Sequence, residues 1–337
     1  MKKKIIFLTD GSKNPNLPSR RLRVYEMIPH LEDTFDMECY PLPRTILQFL
    51  NLRKIISSGD ILFIQKELPS FFILLLLKLC NGRIIYDFDD AVYIRHDPEN
   101  FTYKNSSKLK RRFDRICKNV SLVIAGNEIL QKQAVASGAS KTAVIPTSVE
   151  IKAHPNKSKK NKKVNVITLG WVGQKVNLPY LENMEPIFLS LLKKGYKFKL
   201  KILSNEAPNF SVFKNYEFSD WSVKKEPSFL KSIDIGLMPL IQNKYVEGKC
   251  AYKALQYMSY SKPAIVSDVG VNKKWLSGGC LLYRTDSQAI LAFEQLIGSP
   301  KLRRELGKKG KKITETYFEK SVIANKIKVA INEIIQP

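Results

Sequence analysis

The chain has 337 residues, with 56 Lys and Arg against 31 Asp and Glu, for a formal net charge of +25. That length exceeds one ordinary hydrophobic core and points to about two domains of ~150 residues each. With 44% hydrophobic and 26% charged residues it is no disordered chain, and its 16 Gly and 17 Pro show no collagen-like period.

From Met1 the sequence reaches Asp10 after only a few apolar residues. It therefore reads as a first buried strand, since a secretory signal needs roughly 7–15 apolar residues. Short apolar runs then alternate with helical patterns, the mark of parallel sheets built from β-α-β units. In the first half the predicted strands are Ile5–Thr9, Ile61–Gln65, Arg83–Phe88, Ser121–Gly126 and Thr142–Pro146, with the Ile, Val and Leu content of strands covered on both faces. Helical spacing fits Arg20–Leu31, Phe71–Cys80, Lys108–Cys117 and Glu128–Ala136. The apolar tract Phe71–Leu77 is cut by Lys78, far short of the ~20 residues that span a bilayer. Ile151–Lys163 is lysine-rich and aperiodic, and predicts a linker centred on 153–163. Strands resume at Val164–Val172, Phe198–Ser204, Ile233–Leu240, Pro263–Ser267 and Cys280–Tyr283, and Lys320–Ile334 predicts a long terminal helix.

The expected fold is α/β: two Rossmann-like domains facing each other across a cleft, with ligands at the carboxyl ends of the strands. The first domain spans 1–152 and the second 164–317, with the helix in 318–337 returning to pack on the first. Cys39, Cys80, Cys117, Cys250 and Cys280 are scattered and unpaired in spacing, as in a reduced, cytoplasmic protein. His30, His96 and His154 lie far apart, so no metal site is expected.

A charge of +25 is compatible with nucleic acid, an anionic membrane or phosphate-bearing substrates. The basic tracts Lys108–Arg115, Lys157–Lys163 and Lys301–Lys312 carry no zinc-finger, RNA-recognition or basic-zipper signature, so nucleic acid is not an expected partner. Lys108, Lys110, Arg111, Arg112 and Arg115 fall on one helix, with Phe71–Leu77 in the same domain. Each cation near an anionic leaflet contributes ~1 kcal/mol, so peripheral, salt-sensitive attachment to a membrane surface is expected.

The most informative stretch runs from Ser232 to Pro263. A strand ends at Pro239-Leu240, a loop crosses the cleft edge and a helix is predicted to open near Gly248. On such a helix Lys249, Lys253 and Gln256 share one face. Lysines beside a helix N-terminus suit a diphosphate; two solvated lysines are the plainer alternative.

These residues resemble the retaining nucleotide-sugar glycosyltransferases of family 4. The resemblance rests on Asp234-Ile-Gly-Leu-Met-Pro-Leu240, on Gly248-Lys-Cys followed by Lys253 and Gln256-Tyr-Met258, on Pro263, and on Val269-Gly-Val-Asn272. Further fragments follow in the family's order: Ser19–Arg23, Tyr86–Asp90, Ala125–Glu128, Pro146–Val149, Gly170–Gly173 and Leu302–Tyr317. The resemblance implies the GT-B fold and transfer of a sugar from a nucleoside diphosphate donor to a glycan or lipid-linked acceptor. The setting it suggests is cell-surface polysaccharide or lipopolysaccharide assembly at the inner face of the cytoplasmic membrane. It implies a donor held mostly on the second domain and a leaving diphosphate stabilised by cations and backbone amides without an obligatory metal or cofactor. Lys249 and Lys253 match the positions of those cations, with Gly173 and Lys175 on the facing loop. Gln256 stands where the family usually places a Glu on the ribose hydroxyls, which an amide can also bond. The family's pair of glutamates, seven residues apart, is altered here: the first position is Gly248, with Glu247 beside it.

Asp87-Phe-Asp89-Asp90 allows three readings: a metal-holding Asp-x-Asp pair, acceptor anchors with Asp90 as a base, or a helix cap. The acceptor reading is preferred for Asp89 and Asp90. Arg21 and Arg23 are placed at the cleft lip to meet a phosphorylated or lipid-diphosphate acceptor, or else to pair with Glu26 or Asp33. Trp171 and Trp221 are expected to pack near strand ends, and Gln65–Glu67 to project into the cleft without an assigned role. The competing functions are a nucleotide-sugar epimerase or phosphorylase of the same fold, and a catalytically silent sugar-nucleotide-binding scaffold. A dinucleotide oxidoreductase is disfavoured because no Gly-x-Gly-x-x-Gly follows the first strand.

Overall fold

The computed structural model describes residues 2–12, 16–80, 82–151 and 166–335; the expected linker 153–163 and the basic tract 157–163 lie outside them. Two six-stranded sheets organise the chain, every neighbouring pair parallel. The first, in the order β2-β1-β3-β4-β7-β8, uses β1 (Lys3–Thr9), β2 (Phe35–Pro41), β3 (Ile61–Gln65), β4 (Ile84–Phe88), β7 (Leu122–Ala125) and β8 (Thr142–Val144). The second, β11-β10-β9-β12-β13-β14, uses β9 (Ile167–Val172), β10 (Phe198–Ser204), β11 (Tyr216–Asp220), β12 (Ile235–Met238), β13 (Ala264–Ser267) and β14 (Cys280–Tyr283).

Helices cover both sheets. In the first half they are α1 (Pro18–Arg20), α2 (Ile46–Arg53), α3 (Phe71–Cys80), α4 (Ser107–Asn119) and α5 (Glu128–Ala136). In the second they are α6 (Leu178–Glu182), α7 (Glu185–Lys193), α8 (Glu226–Ser232), α9 (Lys244–Glu247), α10 (Tyr252–Ser259), α11 (Asn272–Leu276), α12 (Asp286–Gly298) and α13 (Pro300–Tyr317). The chain ends in α14 (Lys320–Ile335), whose Ile323, Ile327 and Ile331 share a core with Ile5, Phe7 and Phe63 of the first sheet. Side-chain caps start several helices: Thr45, Ser106, Asn127, Thr285 and Ser299 each accept from the amide three residues on.

In each sheet the order reverses beside its first strand, between β1 and β3 and between β9 and β12. A crevice opens at such a switch, outside the carboxyl ends of the strands. The two crevices face each other, the expected arrangement of two Rossmann-like domains across a cleft.

Local departures matter for the site. Arg20–Leu31 is not one helix. After α1 the Glu26 amide bonds the Arg21 carbonyl five residues back, at 2.8 Å, and a separate tight turn covers Ile28–His30. Pro29 lacks the amide a continuous helix requires, and the wide turn swings Arg21 toward the cleft. The edge strands β2 and β11 mix polar and apolar residues and left no continuous apolar run to read. An antiparallel pair, β5 (Ile94–Asp97) with β6 (Thr102–Asn105), also emerges beyond β4.

Candidate active site

A cavity of about 910 Å³ lies between the sheets. Strand ends from both halves supply its walls: Asp10 after β1, Lys66 after β3, Asp89 and Asp90 after β4, then Gly173, Asn205 and Leu240 after β9, β10 and β12.

The second-half wall carries Lys249, Lys253 and Gln256, as expected, but not on one helix. Residues 248–251 form a break between α9 and α10, where Ala251 takes a left-handed conformation at φ 55°. Lys249 sits in that break and Lys253 in the first turn of α10, and both line the cavity. Lys253 places its ammonium 4.3 Å from the centre of the Trp171 ring, and Lys249 lies 5.3 Å from that of Tyr245. Neither makes an ion pair among the described residues. Burial, and then the charge of Lys249, depress the Lys253 pKa well below the usual lysine value. Gly173 gives this cation its room: a Cβ there would lie 2.8 Å from the Lys253 ammonium and 2.6 Å from Trp171. The Gly173 amide itself bonds the Leu203 carbonyl at 3.0 Å, so it is not a free donor.

Other expected donor contacts lie elsewhere. Lys175 does not line the cavity; its ammonium pairs with Glu206 at 3.2 Å. The Glu247 carboxylate accepts from Gln242 outside the cavity. Gly248 lies where the halves meet: its carbonyl accepts from Asn127 at 2.9 Å, and a Cβ would come within 3.3 Å of Ala91. The Gln256 amide donates to Glu226, a cavity carboxylate that sequence reasoning passed over. Glu226 also accepts from the Trp221 indole at 3.0 Å and has the Arg21 guanidinium 3.8 Å away. Burial raises the Glu226 pKa, against the pull of Arg21.

On the first-half wall every expected residue except Arg23 reaches the cavity. Lys66, in a left-handed conformation at φ 64°, pairs with Asp90 at 2.5 Å and Asp89 at 3.5 Å. Ser19 donates to Asp89 at 3.1 Å and accepts from Lys66 at 3.0 Å. Burial works to raise the Asp90 pKa, but Lys66 and then Lys249 outweigh it and the net shift is downward. Arg21 pairs with Glu26 at 2.7 Å, one of the two partners foreseen for it, and lies over the Trp221 ring. Arg23 points away from the cavity. Its guanidinium is spent on Asp87, on Thr147 at 3.2 Å and on the Ile145 carbonyl at 3.0 Å, which ties β4 to the chain after β8. The three aspartates thus divide, with Asp87 buried and structural and Asp89 and Asp90 facing the cavity. Nearby, His96 stacks on Tyr245 at 4.1 Å and bonds the Tyr180 hydroxyl at 2.8 Å. Burial and Lys249 lower its pKa to about 4, so the ring is neutral at physiological pH.

No family model and no curated protein matches the chain. Solved structures do match it over nearly full length. Anabaena HepE, in complex with UDP and glucose, has a TM-score of 0.69 at 14% identity, over 98% of this chain and 100% of that one. Sucrose-phosphate synthase from Thermosynechococcus elongatus has 0.70 at 12%, over 99% of both chains. A glycosyltransferase from Rickettsia africae has 0.67 at 12%, over 99% of both. At such identities the likeness is one of fold: the chain has the GT-B architecture.

Proposed function

We propose that the protein is a glycosyltransferase that takes a sugar from a nucleoside diphosphate donor. The observation that carries this reading is the pair of cavity cations Lys249 and Lys253, neither of them in an ion pair among the described residues. A desolvated ammonium is costly unless an anion joins it, and a diphosphate supplies two. HepE, of like fold, is described in complex with UDP-glucose, and a donor of that class suits the site. As the bond to the sugar breaks, charge gathers on the leaving diphosphate, where fixed cations in a water-poor cleft act most strongly. Lys249 and Lys253 take that role; Gly173 leaves the phosphates space, and Gln256, backed by Glu226, faces the ribose hydroxyls. Residues 164–317 form the donor domain. Residues 1–152, with 318–337 packed back on them, form the acceptor domain.

Asp90, held ionised by Lys66, accepts a hydrogen bond or proton from the acceptor hydroxyl. Asp89 and Arg21 anchor the acceptor, a glycan or lipid-linked sugar. Transfer proceeds with retention and without a metal, at the inner face of the cytoplasmic membrane, in cell-surface polysaccharide or lipopolysaccharide assembly.

The test is a panel of nucleoside diphosphates and nucleotide sugars, read by thermal stabilisation and then by transfer to membrane-extracted acceptors. Stabilisation by a diphosphate but not by its nucleoside, lost in Lys253→Ala, is the expected outcome. Donor consumption without acceptor would favour an epimerase or phosphorylase. Binding with neither transfer nor slow donor hydrolysis would favour a silent scaffold.

A further inference from the structure

α2 and α3 pack side by side on the first half and are apolar on two faces each. Their inner faces supply Phe49, Leu52, Ile73, Leu74 and Leu77 to the core. Their outer faces hold Ile46, Leu47, Leu50, Phe72, Leu75 and Leu79 in solvent, with Leu47 71%, Phe72 69% and Leu79 75% exposed. Scattered exposed leucines need no explanation, but six large side chains on two adjoining helices form a patch. The periodicity is regular: 46, 47 and 50 share one side of α2, and 72, 75 and 79 share one side of α3.

The border of this patch is cationic. α4 packs against α3 and sets the Arg115 guanidinium 4.9 Å from the centre of the Phe71 ring. Lys108 and Arg111, on the same side of α4, are exposed, as are Lys78 on α3 and Arg53 at the end of α2. α2, α3 and α4 together carry one carboxylate, Asp114, and Lys110 neutralises it. An apolar strip with a basic margin is complementary to acyl chains beneath anionic headgroups. A second copy of the chain would instead bring two basic margins together. No helix among the described residues is long and apolar enough to cross a membrane, so this face would lie on the leaflet rather than span it.

We propose that the outer face of α2 and α3 docks the protein on an anionic lipid leaflet, with Leu47, Phe72 and Leu79 inserted at the acyl boundary and the α4 cations on the headgroups. α4 also connects this face to the cavity, since its Leu109 and Arg112 line the first-half wall together with Leu68. A lipid-linked acceptor held in the leaflet would therefore enter the cavity beside the docking face. Only this purpose rests on the glycosyltransferase reading; docking stands without it.

The experiment is co-sedimentation of the full chain with phosphatidylcholine vesicles, with and without phosphatidylglycerol. The wild type is expected to bind the anionic vesicles at low salt, to leave them at high salt and to bind neutral vesicles weakly. Substituting Leu47→Ser, Phe72→Ser and Leu79→Ser together should lower partitioning by at least about tenfold. Melting and UDP affinity should not change, because these side chains reach neither core nor cavity. Lys108→Glu with Arg111→Glu should weaken anionic binding alone, and keeps the test open if the triple variant folds poorly. Equal wild-type binding to both vesicles, or no binding to either, would overturn the proposal. So would a triple variant that binds as the wild type does, or one that instead dissolves a dimer seen by sedimentation velocity. UDP titration reports separately on the donor reading, so each proposal can fail alone.

Discussion

The two walls of the cavity treat charge in opposite ways. On the first-half wall the cations around the strand ends already have anions, Arg20 with Asp10, Arg21 with Glu26, Lys66 with Asp89 and Asp90, while Arg112 donates to the Leu68 carbonyl. Below it, Arg23 is paired with Asp87. On the second-half wall Lys249 and Lys253 face the same space beside aromatic rings and outside any ion pair among the described residues, with Asp90 across the cavity as a carboxylate that feels Lys249. The paired wall is preorganised and holds its groups in place without a ligand. The unpaired wall is a cost to the empty protein, and that cost becomes affinity when an anion arrives.

The largest effect expected from breaking this comparison lies in the paired half. Arg23→Ala leaves Asp87 buried without its partner, which typically costs ~3–5 kcal/mol. Chemical denaturation should show that loss, and replacing both Arg23 and Asp87 by apolar residues should recover most of it. A double variant no more stable than Arg23→Ala would mean that the bonds to Thr147 and Ile145, not the ion pair, hold this region.

Next comes the unpaired wall. Lys249→Ala and Lys253→Ala should each slow transfer by about a hundredfold to a thousandfold, ~2.7–4 kcal/mol in the transition state, and weaken nucleotide binding less. Stability should hold or rise in Lys253→Ala, which deprives no anion of a partner, whereas Lys249→Ala also removes part of the electrostatic support of Asp90. Lys262→Ala is the control, since that ammonium lies outside the cavity and donates to the Lys231 carbonyl at 3.1 Å. If all three variants keep wild-type turnover and affinity, the diphosphate site lies elsewhere.

Lys66→Met sharpens the contrast from the other side. It removes the only ion-pair partner of Asp89 and Asp90 among the described residues and leaves Lys249 alone to oppose burial at Asp90, so the Asp90 pKa should climb back. Lys66 is 31% exposed, so screening limits the stability cost to about 1 kcal/mol. Transfer should fall while UDP affinity stays level. Equal loss of both would place Lys66 on the donor.

These contrasts were only partly legible in the sequence. The central strands were, because strands covered on both faces must be continuously apolar, as in Ile61–Gln65 and Ile167–Val172. The edge strands β2 and β11 were not, because their mixed polarity resembles loops, although the opposite edges β8 and β14 were read. Lys249 and Lys253 stood out by spacing and do converge on the cavity, though the helix assumed to join them is broken. The left-handed turn at Ala251 has no local signal, since glycine or asparagine usually marks that conformation. Glu226 and Lys66 act through partners 30 and 24 residues away, contacts that only the folded crossovers create.

The finest test concerns protons. Burial and Lys249 lower the Lys253 pKa in the empty protein, and a diphosphate beside the ammonium must raise it again. Between those two values the bound state holds more protons than the free state. Binding then takes up as much as one proton, and affinity falls as pH rises, by up to tenfold or ~1.4 kcal/mol per unit. Stability of the empty protein runs the other way. With the folded pKa below the unfolded one, stability climbs as pH rises from the former toward the latter. His96 does not confuse the measurement, because its pKa of about 4 leaves it neutral throughout the range. UDP titrations above pH 7 in buffers of different ionisation enthalpy count the protons directly. Lys253→Arg, always charged, should flatten the pH dependence if the longer side chain fits beside Trp171. Proton uptake on UDP binding that is the same in the wild type and in Lys253→Arg would show that the Lys253 ammonium does not change its protonation when the phosphates arrive.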